Sequence, residues 1–267
     1  MSFTGTKKWA DDNAAETIAA RPSSSVTLYR YPLDAGNSYG TASPVPGYTT
    51  TTLSNTATAP FTFILPTNDS ATSHSLPMYN DDGYKYVYFV KESLSGGTNT
   101  YKQVFVNNGD ITAADANKKF LFNNGELDNT ITGTVDWQAT KTWVAATRQD
   151  VDAKVTMSVY QYDPSTKQTI ELTGKAQTLT GFGTEKKTDT AYFNGLPKYN
   201  ADGLQYTYTV KETGLQTKVG TEFKDCTITT VQEGTSTVTY FLTADGYRYR
   251  QDTVTDNDKH TASVTNT

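Results

Sequence analysis

Leu76-Pro77-Met78-Tyr79-Asn80-Asp81-Asp82-Gly83-Tyr84-Lys85-Tyr86-Val87-Tyr88-Phe89-Val90-Lys91-Glu92-Ser93 reappears later in the chain as Leu196-Pro197-Lys198-Tyr199-Asn200-Ala201-Asp202-Gly203-Leu204-Gln205-Tyr206-Thr207-Tyr208-Thr209-Val210-Lys211-Glu212-Thr213. Agreement over a stretch this long marks an internal repeat. Other segments keep the same order in both halves. Upstream, Thr6-Lys7-Lys8-Trp9 matches Thr140-Lys141-Thr142-Trp143, and Val26-Thr27-Leu28-Tyr29-Arg30-Tyr31 matches Met157-Ser158-Val159-Tyr160-Gln161-Tyr162. Downstream, Leu127-Asp128-Asn129-Thr130 matches Val264-Thr265-Asn266-Thr267. The repeating unit is the size of a domain, which predicts two domains, residues 1–131 and 132–267. The joint at Thr130-Ile131-Thr132-Gly133-Thr134 has no Pro- or Ser-rich spacer and reads as strand following closely on strand.

Within the repeat, Tyr-x-Tyr-x-Val alternates in the two-residue period of a strand with one buried face. The whole composition agrees: 18 Tyr, with abundant Thr and Val between Gly, Asn and Asp breaks, suits pleated sheets. Asn-Gly or Asp-Gly at 82–83, 108–109, 124–125, 194–195, 202–203 and 245–246 predicts turns between antiparallel strands. Phe120-Leu121-Phe122, the turn Asn123-Asn124-Gly125 and Leu127-Asp128-Asn129 read as a closing hairpin. The Ala-rich stretches at 10–20 and 111–117 allow a helical turn as loop decoration. The fold class is all-β, one sheet domain per half.

Several function classes are disfavoured. A net charge of -5 with scattered Lys and Arg offers phosphate no basic patch, so neither nucleic acid nor an anionic membrane surface is expected as a partner. No apolar run approaches the roughly 18 residues that span a bilayer, and the N-terminus lacks the apolar stretch of a signal peptide. The single Cys226 excludes an internal disulfide and has no His or other base beside it in sequence, so it reads as a small packed residue. His74 and His260 sit in polar segments without metal-ligand spacing and read as exposed loop residues. Gly181-Phe182-Gly183 lacks the third glycine of a dinucleotide loop, and Asp256-Asn257-Asp258 lacks the Gly and closing Glu of a calcium loop. No cofactor and no metal are expected.

Three polar residues per half fall where apolar ones belong. On the first strand Val135, Trp137, Ala139, Lys141 and Trp143 share a face, as do Phe3, Gly5, Lys7 and Trp9. The Tyr rows, Tyr84-Tyr86-Tyr88-Val90 and Leu204-Tyr206-Tyr208-Val210, continue into Glu92 and Glu212. On the last strand Asn129 shares a face with Leu127, and Asn266 with Val264 and Ala262. Each half thus aims a Lys, a Glu and an Asn at its core. Burial favours the neutral amine and the neutral acid. A neutral amine beside an Asn amide, with a protonated Glu polarising the carbonyl and carrying protons, can attack Cγ and release ammonia. The product is a Lys–Asn isopeptide bond. A one-residue slip would put Lys8 inward instead of Lys7. The milder alternative for each set is a partly exposed salt bridge at a sheet rim.

The Lys-x-Trp opening strand, the Tyr-x-Tyr-x-Val-Lys-Glu strand and the closing Asn-Thr resemble the B-type (CnaB) repeat domains of Gram-positive collagen-binding surface proteins and pilins, over essentially the whole chain. The resemblance implies tandem reverse-immunoglobulin-like β-sandwiches with autocatalytic intramolecular isopeptide bonds. Carried onto this sequence, the reactive lysines are Lys7 and Lys141, the acceptors Asn129 and Asn266, and the catalytic acids Glu92 and Glu212. It also implies a structural stalk outside the cell, held in the wall by an anchor elsewhere. The expected partners are neighbouring domains of the same surface protein or other pilus subunits. The alternative is an adhesin module, using loops such as the Pro/Thr-rich 42–61 segment to bind a host extracellular-matrix protein or glycan. Either way each domain would modify itself once, which is not enzyme turnover. The Glu-Thr-x-Ala-Pro-x-Gly-Tyr continuation common in the family is absent after both Glu residues. No sorting signal or pilin-polymerisation lysine motif is visible, which leaves shaft subunit, tip adhesin and non-pilus wall protein as alternatives.

Overall fold

The computed structural model describes residues 3–36, 38–45, 51–56, 58–63, 76–107, 120–144, 152–183 and 185–267. The chain is all-β, as its composition and alternation require, with 65% of the described residues in strand and 4% in helix. It divides into two compact units, Met1–Thr132 with Ala201–Leu204, and Gly133–Asn200 with Gln205–Thr267.

The first unit contains β1 (Phe3–Ala10), a one-turn helix α1 (Ala15–Ala19), β2 (Ser23–Pro32), β3 (Ser43–Pro44), β4 (Thr51–Thr52), β5 (Thr58–Phe63), β6 (Tyr86–Ser95), β7 (Thr100–Val106), β8 (Leu121–Phe122) and β9 (Gly125–Thr132). One sheet runs β5-β1-β9-β7, the other β3-β2-β6-β8 with β4 also on β2. β1 alternates buried and half-buried residues along its whole length. Its inward Phe3 joins Val26, Leu28, Tyr88, Val90, Leu121 and Leu127 in one core.

The second unit contains β10 (Thr134–Trp143), β11 (Ala153–Asp163), β12 (Gln168–Glu171), β13 (Gln177–Phe182), β14 (Thr188–Pro197), β15 (Thr207–Val219), β16 (Glu222–Asp225), β17 (Thr227–Glu233), β18 (Ser236–Leu242), β19 (Arg248–Asp256) and β20 (Thr261–Asn266). Its sheets run β14-β10-β20-β19-β18-β17 and β12-β11-β15-β16, with β13 also on β11. Trp137, Val155, Val159, Phe193, Tyr208, Val210, Phe241 and Val264 fill the space between them.

In each unit the first and last strands pair in parallel, β1 with β9 and β10 with β20. Both flank each other in mid-sheet, so the unit's two ends leave from opposite poles. The long repeat, Leu76–Ser93 and Leu196–Thr213, has a common local structure. Tyr79 bridges to Lys85 and Tyr199 to Gln205 across Gly83 and Gly203, which hold φ near 80°. Further along, the Tyr88 hydroxyl donates to the Pro77 carbonyl at 2.7 Å and the Tyr208 hydroxyl to the Pro197 carbonyl at 2.5 Å. A buried phenol needs such a partner, which accounts for the Leu-Pro start and second Tyr recurring together.

Several local expectations are corrected. Leu121-Phe122 does not form a hairpin with the last strand: β8 pairs with β6, so the turn at Asn123-Asn124-Gly125 carries the chain from one sheet to the other. Asn124 takes the positive φ there, while Gly125 is needed for room: a Cβ would lie 2.7 Å from Leu121 Cδ1 and 2.9 Å from the Val106 carbonyl. Asn194-Gly195 is not a hairpin turn either. It lies inside β14, and the β10–β14 register shifts opposite it, so Gly195 with φ 65° serves a bulge. Tyr84 is exposed rather than in the core row, and Phe89, on the outward face by alternation, is fully buried. The reason is a second aromatic layer: Phe89 stacks on Tyr29 and Tyr31 and packs against Phe120, whose chain folds over that face. His260 is half-buried beside Trp137, 5.7 Å between ring centroids, instead of exposed. Residues 108–109 and 111–117, His74 and parts of 42–61 lie outside the described residues.

Beyond the end of β1, Asp11 and Arg21 form a buried ion pair that alternation alone could not reveal. Arg21 Nη2 donates to Asp11 Oδ1 at 2.5 Å and Arg21 Nε to Oδ2 at 2.9 Å, while the Tyr101 hydroxyl also donates to Oδ2 at 2.8 Å. Multiple hydrogen bonds on both partners are what make burial of such a pair tolerable.

Candidate functional site

The opening strand of each unit places its lysine by alternation. Lys7 lies between inward Gly5 and Trp9, and its side chain is wholly buried. Lys8 points out and pairs with Glu126 on the surface. Lys141 is likewise buried between Ala139 and Trp143. Parallel pairing sets Lys7 opposite Leu127 and Trp9 opposite Asn129, and sets Lys141 opposite Val264 and Trp143 opposite Asn266. The register is identical in the two units. Lys and Asn therefore sit two residues apart on one inner face, a diagonal that a long side chain spans.

The glutamate comes from the opposite sheet. Val26 pairs with Glu92 and Met157 with Glu212, so each carboxyl enters the core from corresponding positions. In unit one Lys7 Nζ lies 3.9 Å from Glu92 Oε1, and Asn129 Nδ2 donates to the same oxygen at 3.0 Å. In unit two Lys141 Nζ lies 3.5 Å from Glu212 Oε2, and Asn266 Nδ2 donates to Oε1 at 2.9 Å. All six residues named from the sequence are thus gathered into two clusters of three. The carbonyl oxygens of Asn129 and Asn266 are buried without a hydrogen-bond partner. Trp9 covers Lys7, with Nζ 3.9 Å from the ring centroid, and Trp143 lies 5.7 Å from Lys141 Nζ.

Burial lowers both lysines from 10.5 to about 8, in spite of the opposing pull of Glu92 and Glu212 respectively. Burial likewise pushes the Glu212 carboxyl above its usual range, against the field of Lys141. At neutral pH about a tenth of such an amine is uncharged, which makes it a nucleophile held beside a polarisable amide. By contrast, Cys226 is buried beside Thr217, and burial raises its thiol, the opposite of what a nucleophile needs. Among the described residues no group of His, Cys, Asp and Glu could hold a metal ion.

A variant that cannot react exposes the lysine's ionisation. In Asn266→Ala, Lys141 should release its proton near 8 when folded but only near 10.5 when unfolded. Between those values the unfolded chain binds more protons, so stability should rise with pH across the window, by on the order of 3 kcal/mol. Urea unfolding at pH 8 and pH 10 measures it. The Lys141→Met/Asn266→Ala double variant, subject to the same tyrosine ionisation, should lack that part of the rise.

Ser24 and Gln103 were not legible as site residues. Ser24 Oγ donates to Glu92 Oε1 at 2.5 Å and Gln103 Nε2 to Glu92 Oε2 at 2.8 Å. A weaker repeat could have found Gln103: Tyr101-Lys102-Gln103 and Tyr249-Arg250-Gln251 both stand beside the acceptor strand, Gln103 opposite Asn129 and Gln251 opposite Asn266. Tyr101 packs on Trp9 and Tyr249 on Trp143, each at 4.7 Å between centroids.

Fold and site together define a class: sheet domains with parallel first and last strands and a buried Lys–Glu–Asn cluster between the sheets. Residues 137–231, within the second unit, match the Cna protein B-type domain. The match takes in Lys141 and Glu212 and stops before Asn266. No curated protein matches the chain. Among solved structures, it is similar to two B repeat units of the collagen-binding protein of Staphylococcus aureus, at 21% identity and a TM-score of 0.25. That alignment covers 100% of this chain and 49% of that one, so the chain spans about half its length. It is also similar to a major pilin of Streptococcus pyogenes, at 16% identity, 99% and 96% coverage and a TM-score of 0.24. A third is a pilus adhesin of Lactobacillus rhamnosus GG, at 16% identity, 99% and 28% coverage and a TM-score of 0.23.

Proposed function

We propose that this chain is a load-bearing stretch of a Gram-positive cell-surface protein, the stalk of an adhesin or a pilin, whose units each close one internal Lys–Asn isopeptide bond. The observation that carries the reading is the recurrence of buried Lys, Glu and Asn in the same strand register in both units. Lys7 and Lys141 are the nucleophiles, Asn129 and Asn266 the acceptors, and Glu92 and Glu212 the proton carriers. The neutral amine attacks Cγ and a C–N bond forms. The proton it sheds passes through the glutamate to Nδ2, the Cγ–Nδ2 bond breaks, and ammonia leaves. Each unit reacts once and is not an enzyme. Neighbouring domains of the same surface protein, or other pilus subunits, are the partners such a stalk requires, and the residence is extracellular, on the cell wall.

A bond between first and last strands suits a stalk, because force on the chain ends enters at β1 and leaves at β9, or enters at β10 and leaves at β20. Intact mass tests the chemistry: the folded protein should be lighter than its sequence by two ammonias. A mass equal to the sequence would remove the reading for both units.

A further inference from the structure

The two clusters are built from the same three residues but present their glutamates differently. In unit two the carboxyl is divided between the reactants: Oε1 accepts from Asn266, Oε2 lies 3.5 Å from Lys141 Nζ, and Oε2 has no hydrogen-bond donor. In unit one both reactants face Oε1, which also accepts from Ser24, while Oε2 is held by Gln103. The counterparts are not so engaged. The repeat places Val155 where unit one has Ser24, and Gln251 donates instead to Thr253 Oγ1 at 3.3 Å.

The difference bears on the reaction. Amide exchange needs a proton taken from Nζ and a proton delivered to Nδ2, and a carboxyl does both most directly when one oxygen faces each group. Glu212 is so arranged. Glu92 has its second oxygen occupied by an amide donor and its first crowded by a hydroxyl, so it must break or re-aim a hydrogen bond before it can relay.

We propose that Ser24 and Gln103 are positioning residues that hold Glu92 away from the relay geometry, so that the two units close in order, unit two first and unit one roughly tenfold later. This rests on the cross-linking reading above. A staggered closure would leave unit one able to complete its folding after unit two has been locked.

The test is a cell-free translation pulse of the full chain, with samples quenched over time, digested and weighed. The Lys7–Asn129 and Lys141–Asn266 linked peptides are quantified separately, so unit two is an internal clock in the same molecules. In the wild type the unit-two peptide should appear first. Ser24→Ala/Gln103→Met should bring unit one to within about threefold of unit two; loss of a merely structural contact would slow unit one instead. Gln103→Met alone should give part of the acceleration and serves if the double variant folds poorly. Unit one closing first in the wild type, or closing no faster in a folded variant, would overturn the proposal. If neither linked peptide ever forms in the wild type, the cross-linking reading itself fails; bonds that form in the wrong order refute only the ordering.

Discussion

Glu212→Ala is expected to leave Lys141 and Asn266 unjoined and to lower the melting temperature of unit two by about 15 °C. The covalent part follows from the geometry, since this carboxyl contacts both the amine and the amide and is the group placed to move protons between them. The stability part follows from chain entropy: a cross-link closing a loop of this length is worth about 5 kcal/mol by the loop-closure argument, and one kcal/mol shifts the transition of a unit this size by roughly 3 °C. Glu212→Gln separates the contributions, because it keeps the shape and the hydrogen bonding but cannot carry a proton. It too should fail to react, with the mass of one ammonia retained. Unit one should keep its own transition in both variants. Calorimetry with intact mass on the same samples checks this. A Glu212→Gln protein that still loses two ammonias would show that the glutamate has no part in the chemistry.

The second large effect is mechanical. Pulled from its ends, unit one is loaded at Phe3–Thr6 on one side and just beyond Asn129 on the other, since β1 and β9 lie parallel and adjacent. With the bond in place the force passes through it, and the chain between Lys7 and Asn129 is shielded. Without it, only hydrogen bonds and packing resist. Lys7→Ala should therefore release a contour length of roughly 400 Å from unit one in single-molecule stretching, the extended length of the enclosed chain. The wild type should show no such step at forces that unfold ordinary sheet domains. A step of that length in the wild type would contradict a bridged unit one.

Legibility from sequence followed the physics of each feature. Strand alternation put Lys7, Lys141, Asn129, Asn266 and Glu212 inward because each lies in a regular strand with one buried face, where a period of two is the only freedom. It failed for Phe89, whose outward face is covered by Tyr29, Tyr31 and Phe120 from elsewhere in the chain. The Leu121-Phe122 segment looked like half a hairpin because turn residues follow it, yet its strand partner is β6, a choice made by packing of Leu121 against Val90. Ser24 was invisible as a site residue because hydroxyls are common in strands and only the fold brings this one to a buried carboxyl, whereas Gln103 was marked in the sequence only by the weak Tyr-x-Gln repeat. The Asp11–Arg21 pair escaped for the same reason: it forms between the strand end and the residues after α1, outside any periodic pattern.

A covalent bond between two named side chains in each unit is open to direct observation by tandem mass spectrometry of the digested folded protein. Two branched peptides are expected, one joining Lys7 to Asn129 and the other Lys141 to Asn266, each lighter by one ammonia than its two arms together. Linear peptides carrying free Lys141 and an intact Asn266 amide, with the same for Lys7 and Asn129, would contradict it.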